Sequence, residues 1–210
     1  MRINTKTGIL LLTLAIPVFI WLFLKLFGQN SFDLPVYYSE GVNTEACDAT
    51  NQAHTVPKFS LQISDSNTIS SEFLSEQIVI SHFLPDECLE SCTQVLENIA
   101  NLQSVFSKEY ALKILTIAPE HYSFEELAHL SKQFNIDPEL WVVAKAKQQK
   151  VNELQQCGFV LSDYSQNTFV LTDPERQIRG YYNALDSDEV DRMKGEIKIL
   201  EYLLENFRND

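Results

Sequence analysis

The sequence predicts an α/β sandwich behind an N-terminal membrane helix. Three observations carry the prediction. A 20-residue apolar run fills Gly8–Phe27, strand and helix signals alternate from Lys58 onward, and a Cys-x-x-x-Cys pair stands where a long apolar strand gives way to a helix.

The apolar run reads GILLLTLAIPVFIWLFLKLF, with one charge, Lys25, near its far end. About 20 apolar residues suffice to cross a bilayer as a helix. Lys25 can snorkel to the interface, and Pro17 is tolerable in a membrane helix. Arg2 and Lys6 precede the run and acids dominate after it. The positive-inside rule therefore puts the amino terminus in the cytoplasm and the rest of the chain outside. The expectation is a single-pass inner-membrane protein with its C-terminal domain in the periplasm. A cleaved signal peptide is the competing reading, but Leu26-Phe27-Gly28-Gln29-Asn30 offers no small-x-small site. Either way the domain meets an oxidising compartment, where cysteine pairs persist as disulfides. Residues 1–28 are thus read as cytoplasmic tip and anchor, 29–57 as a polar tether without period, and 58–210 as the folded domain.

That domain is long enough to bury a sizeable core without disulfides, so the four cysteines need not be staples. Beyond the anchor the chain carries 13 basic against 29 acidic residues, a formal −16. Such a surface repels phosphates and anionic lipid and favours cations or basic partner proteins, which excludes nucleic-acid binding.

Phe59–Ile63 has the period of two that marks a strand, and Gln77–Leu84 is a longer apolar run suited to a central strand covered on both faces. Val95, Leu96, Ile99, Leu102 and Phe106 then recur at helical spacing. Ala111–Ile117 is a further strand. Ser123 with Glu126 forms a capping box for a helix that places Leu127, Leu130 and Phe134 on one face. Trp141–Ala144 is a short strand and Lys147–Gln156 a polar helix. Thr168–Thr172 and Gln177–Tyr182 make two strands about a Pro174 turn, as in a hairpin. Asp186 with Glu189 opens a final helix whose stripe is Val190, Met193, Ile197, Leu200, Leu204 and Phe207.

Cys88-Leu89-Glu90-Ser91-Cys92 sits where the central strand ends and a helix begins, which narrows the sandwich to a thioredoxin-like arrangement. Residues four apart on a helix share a face. The two sulfurs can therefore close a disulfide or grip a soft ion such as Cu(I). A helix N-terminus stabilises a thiolate, whereas Asp86, Glu87 and Glu90 oppose that effect and attract cations. A structural disulfide or two buried thiols is the bland alternative. Cys47 and Cys157 could hold a second, structural disulfide, one of three possible connectivities, and Cys157 could also lie near the first pair.

At these residues the chain resembles the Sco/SenC family, anchored thioredoxin-like proteins linked to copper delivery to cytochrome oxidase. The resemblance rests on Cys88 and Cys92, on Phe169-Val170-Leu171-Thr172-Asp173, on Ile178-Arg179-Gly180-Tyr181-Tyr182 and on Asp188-Glu189-Val190-Asp191-Arg192. Phe32-Asp33-Leu34-Pro35-Val36 after the anchor is similar to bacterial members. The resemblance implies a thioredoxin fold and a copper site of two cysteines and one distal histidine, with an oxidase subunit or another thiol protein as partner. It also has departures. Leu89 and Thr93 replace the family's prolines, Ala118-Pro119-Glu120-His121 replaces its acidic segment, and Ser165 holds the place of the distal histidine. Serine is a poor Cu(I) ligand, so His121, after a strand end, is the substitute third ligand. His54 reads as a solvated tether residue, His82 as a hydrogen-bonded core residue and His129 as surface. Cys88 and Cys92 are therefore the expected catalytic and metal-binding pair. A copper-independent thiol–disulfide oxidoreductase and a binding module with structural cysteines are the alternative functions.

Overall fold

The protein is described by a computed structural model, which covers residues 5–27, 34–43, 47, 52–106, 111–161 and 167–208. The chain divides into two compact units, Met1–Asp33 and Leu34–Asp210.

The first unit is helix α1, Thr5–Phe27, which takes in the whole apolar run. Its side chains are described only for residues 13–23 and 25. Among the described residues no helix is long and apolar enough to cross a membrane. Of the expected span at Gly8–Phe27, the side chains outside 13–23 and 25 lie outside the described ones.

The second unit is built on one seven-stranded sheet. Its strands are β1 Ser60–Gln62, β2 Thr68–Ser70, β3 Ile78–Phe83, β4 Leu112–Pro119, β5 Trp141–Ala146, β6 Thr168–Thr172 and β7 Ile178–Asn183, in the spatial order β2-β1-β5-β4-β3-β6-β7. Strands β3, β4 and β5 run parallel, while β6 lies antiparallel to β3 and pairs with β7 as a hairpin. Every residue of β3 is buried, as its unbroken apolar run requires of a strand covered on both faces.

Alternate residues of β3 feed two cores. Ile78 and Ile80, with Leu84 just beyond the strand, pack on helices α2 (Glu90–Val105), α3 (Phe124–Gln133) and α5 (Ser187–Arg208). Val79 and Phe83 pack with Val151 of α4 (Gln148–Glu153) and with Leu154 and Phe159 after it. Helix α2 buries Cys92, Val95, Leu96, Ile99 and Leu102, the stripe that its i, i+3, i+4 spacing dictates. The capping box forms as expected: Ser123 Oγ accepts the Glu126 amide at 3.1 Å, and Glu126 Oε2 accepts the Ser123 amide at 2.7 Å. At α5 only half of the analogous device forms. Asp186 Oδ1 accepts the Glu189 amide at 3.4 Å and the Asp188 amide at 2.9 Å, while the Glu189 carboxylate turns to the Asn183 amide instead.

The segment read as a tether is not loose where it is described. Val42 and Val56 are 3% and 0% exposed and belong to the second core. The Tyr37 amide donates to Ile178 O at 2.9 Å, and the Val56 amide donates to Arg176 O at the same distance. Arg176 returns a guanidinium bond to Val56 O, and Arg179 donates to Leu34 O. His54, expected in solvent, is half-buried with its Nε2 2.8 Å from Gly158 O. A disulfide joins Cys47 to Cys157 across 110 positions. The tether boundary at residue 57 therefore gives way to a folded unit that begins at Leu34. The physical reason is that backbone bonds and two arginines dock this segment, and neither leaves a period in the sequence.

Candidate functional site

In a sheet with parallel central strands, sites gather at the carboxyl ends, where crossover loops leave the strands. Strands β3 and β4 are neighbours and parallel. The loop after Phe83, with the start of α2 that follows it, and the turn after Pro119 are therefore brought side by side, and between them they carry Cys88, Cys92, His121 and Tyr122.

Cys88 and Cys92 form a disulfide with Cα atoms 5.1 Å apart. The pair is asymmetric. Cys92 lies on the first turn of α2 and is 2% exposed, whereas Cys88 precedes the helix and is half-buried. An attacking thiolate therefore reaches the Cys88 sulfur first, and Cys92 is the leaving sulfur. Leu89, the N-cap of α2, gives the helix no side-chain cap. Leu89 itself is 66% exposed, flanked by the exposed acids Asp86, Glu87 and Glu90.

Two adjacent rings from the β4 turn hold the cysteine loop. The Tyr122 hydroxyl donates to Pro85 O at 3.0 Å. Burial raises the phenol pKa above its ordinary value, with the charges of Glu126 and Asp86 adding to the effect, while the Cys88 N–H works against it. His121 Nε2 stands 2.8 Å from Asp86 O. A carbonyl only accepts, so Nε2 carries the hydrogen and donates. The two rings lie against each other at 4.6 Å between centroids.

This arrangement bears directly on copper. Two sulfurs in reach of each other suit Cu(I), a soft ion. His121 is exposed beside the loop, but its Nε2 is committed to Asp86, which leaves only Nδ1 as a donor for a metal. Among the described residues no group of three or more His, Cys, Asp and Glu side chains is arranged to hold a metal ion. Ser165 lies outside the described residues. His129 is exposed, as expected. His82 is buried, edge-on to Phe169 with centroids 5.9 Å apart, but its Nδ1 has no hydrogen-bond partner, contrary to the satisfied core residue expected. Tyr122 is the site residue that sequence reasoning missed. The capping box at Ser123 is the one nearby signal, since it fixes where the β4 turn must end.

No known family profile matches this chain, and no curated protein matches it in sequence. Solved structures match its fold. BsSco, a member of the Sco family of cytochrome c oxidase assembly proteins in which a disulfide switch was identified, superposes with a TM-score of 0.62 at 17% identity, over 71% of this chain and 94% of its own. Yeast Sco1 with copper bound gives 0.54 at 20% identity, over 69% and 92%. A putative thiol:disulfide interchange protein DsbE from Chlorobium tepidum gives 0.55 at 12% identity, over 70% and 94%. The chain has the thioredoxin-like fold of Sco/SenC proteins, which meets the expectation drawn from its motifs.

Proposed function

We propose that the chain is a Sco/SenC-type extracytoplasmic protein that acts through Cys88 and Cys92 in thiol reduction of, or copper delivery to, a respiratory oxidase. The observation that carries the reading is the asymmetric disulfide at the carboxyl end of β3, one sulfur accessible and the other buried.

That asymmetry orders the chemistry. With the pair reduced, the Cys88 thiolate attacks a partner disulfide and forms a mixed disulfide, and one partner sulfur leaves as a thiolate. Cys92 then attacks the Cys88 sulfur and expels the second. The partner gains two electrons and two protons, and the Cys88–Cys92 disulfide re-forms, to be reduced again by an upstream dithiol. The same reduced pair is a two-thiolate seat for Cu(I) as cargo. In this reading the Gly8–Phe27 run anchors the protein in the inner membrane with the cysteine pair on the periplasmic side. The acidic rim of Asp86, Glu87 and Glu90 favours a basic contact on the partner.

A second reading, copper-independent thiol–disulfide exchange, is favoured by one observation: His121 spends Nε2 on Asp86 rather than keeping it free for a metal. One experiment separates the two. The reduced full-length protein in detergent is titrated with Cu(I) against a chelator, in parallel with Cys88→Ser, Cys92→Ser and Ser165→His. The first reading expects one Cu(I) per chain, its loss in both serine variants, and roughly tenfold or tighter binding in Ser165→His, since an added imidazole completes the ligand set. No copper bound, with Cys88 still exchanging disulfides, hands the function to the second reading. Neither copper nor exchange would reduce the pair to scaffolding.

A further inference from the structure

Loop 85–89 has little of its own to hold it. Leu84 is fixed by its amide to Ile117 O at 2.8 Å, and the Leu89 amide meets only Glu87 O at 3.1 Å. No side chain caps the helix that follows. Cys92, by contrast, is a buried residue of the helix itself. The distance between the two sulfurs is therefore governed by whatever positions Cys88.

Tyr122 and His121 act from the neighbouring strand's turn, where they donate to two carbonyls of the loop that carries Cys88, Pro85 O and Asp86 O. Their own turn is firmly set. The Tyr122 amide donates to Pro119 O at 3.2 Å, Lys145 Nζ donates to Tyr122 O at 3.0 Å, and the capping box begins at the next residue. Tyr122 also packs against the main core.

We propose that Tyr122, with His121 beside it, is a positioning residue that sets the reduction potential of the Cys88–Cys92 pair. The inference rests on the thiol-exchange chemistry proposed above. A disulfide is favoured over its dithiol by the effective concentration of one thiol at the other. Through Pro85 and Asp86, the phenol and imidazole hold the loop that carries Cys88 where the disulfide needs it. Without them the reduced loop drifts, the effective concentration falls, and the disulfide becomes easier to reduce.

The test equilibrates the full-length protein in detergent with reduced and oxidised glutathione and counts free Cys88 and Cys92 by alkylation. Tyr122→Phe removes one hydroxyl and keeps the ring. Its equilibrium constant for oxidation should fall roughly three- to tenfold, a potential about 15–30 mV less negative. His121→Ala should shift it in the same direction and serves if Tyr122→Phe does not fold. The control is Tyr122→Phe in a Cys88→Ser, Cys92→Ser chain, where the thermal midpoint should stay within a few degrees of its parent because no disulfide is left to position. An unchanged potential in both variants overturns the inference and leaves the exchange chemistry standing. A midpoint that falls as far without the disulfide as with it makes Tyr122 a plain packing residue and also overturns it. A wild-type pair that does not exchange with glutathione removes the inference and the exchange reading together.

Discussion

His82 shows what a single buried group can do to the whole domain. It lies on β3 six positions before Cys88, fully enclosed, and burial holds its pKa down to about 4 from an ordinary 6.5. The unfolded chain takes up the proton near pH 6.5 and the folded chain only near 4. Between those values the unfolded state binds more protons, so stability is whole above about pH 6.5 and falls as the pH drops toward 4. The shift corresponds to about 3 kcal/mol when the fall is complete. His82→Leu keeps the volume near that of the ring and removes the titration. Denaturant unfolding at pH 7 and pH 4.5 should show the wild type losing about 2–3 kcal/mol more than the variant. Equal losses would assign the acid sensitivity to carboxylates.

At the scale of elements, the docked segment from Leu34 to Pro57 is the part that most changes the reading of the chain. The Cys47–Cys157 bond pins it to the turn after α4, and Arg176 and Arg179 pin it to the β6–β7 hairpin. Replacing both Cys47 and Cys157 by serine should cost roughly 2–4 kcal/mol, because a closed loop of this length restricts the unfolded chain. The glutathione equilibrium of Cys88–Cys92 should be unchanged in that variant. A large shift there would mean that the segment supports the site as well as the fold. What was legible and what was not follows the same division. Strands β3, β4 and β6 and helices α2, α3 and α5 announced themselves because burial imposes a period on the residues that make them. Strand β2, three residues with none buried, and the docked segment, held by backbone carbonyls, leave no such imprint. In the site, Cys88 and Cys92 are four apart and were visible as a pair. The brace joins Tyr122 to Pro85 and His121 to Asp86 across separations of 37 and 35. Such contacts exist only once β3 and β4 are laid side by side.

For the molecule as a whole, the topology places the working cysteines and their brace at the carboxyl ends of the neighbouring central strands β3 and β4. The Cys47–Cys157 bond instead ties the N-terminal segment to the stretch between α4 and β6. The two disulfides also differ greatly in the length of chain they close, 110 positions against 4. Closing a longer loop removes more freedom from the unfolded chain, so the long bond is the harder one to lose while the domain stays folded. Stepwise addition of a dithiol reductant should therefore release two thiols first, at Cys88 and Cys92, and the other two only as the domain unfolds. Mass spectrometry of alkylated samples would show a populated two-thiol species between the oxidised and fully reduced chains. Its absence, with all four thiols appearing together, would mean that the bonds are not independent. If it is present, the protein can cycle electrons through one bond while the other keeps its covalent frame closed.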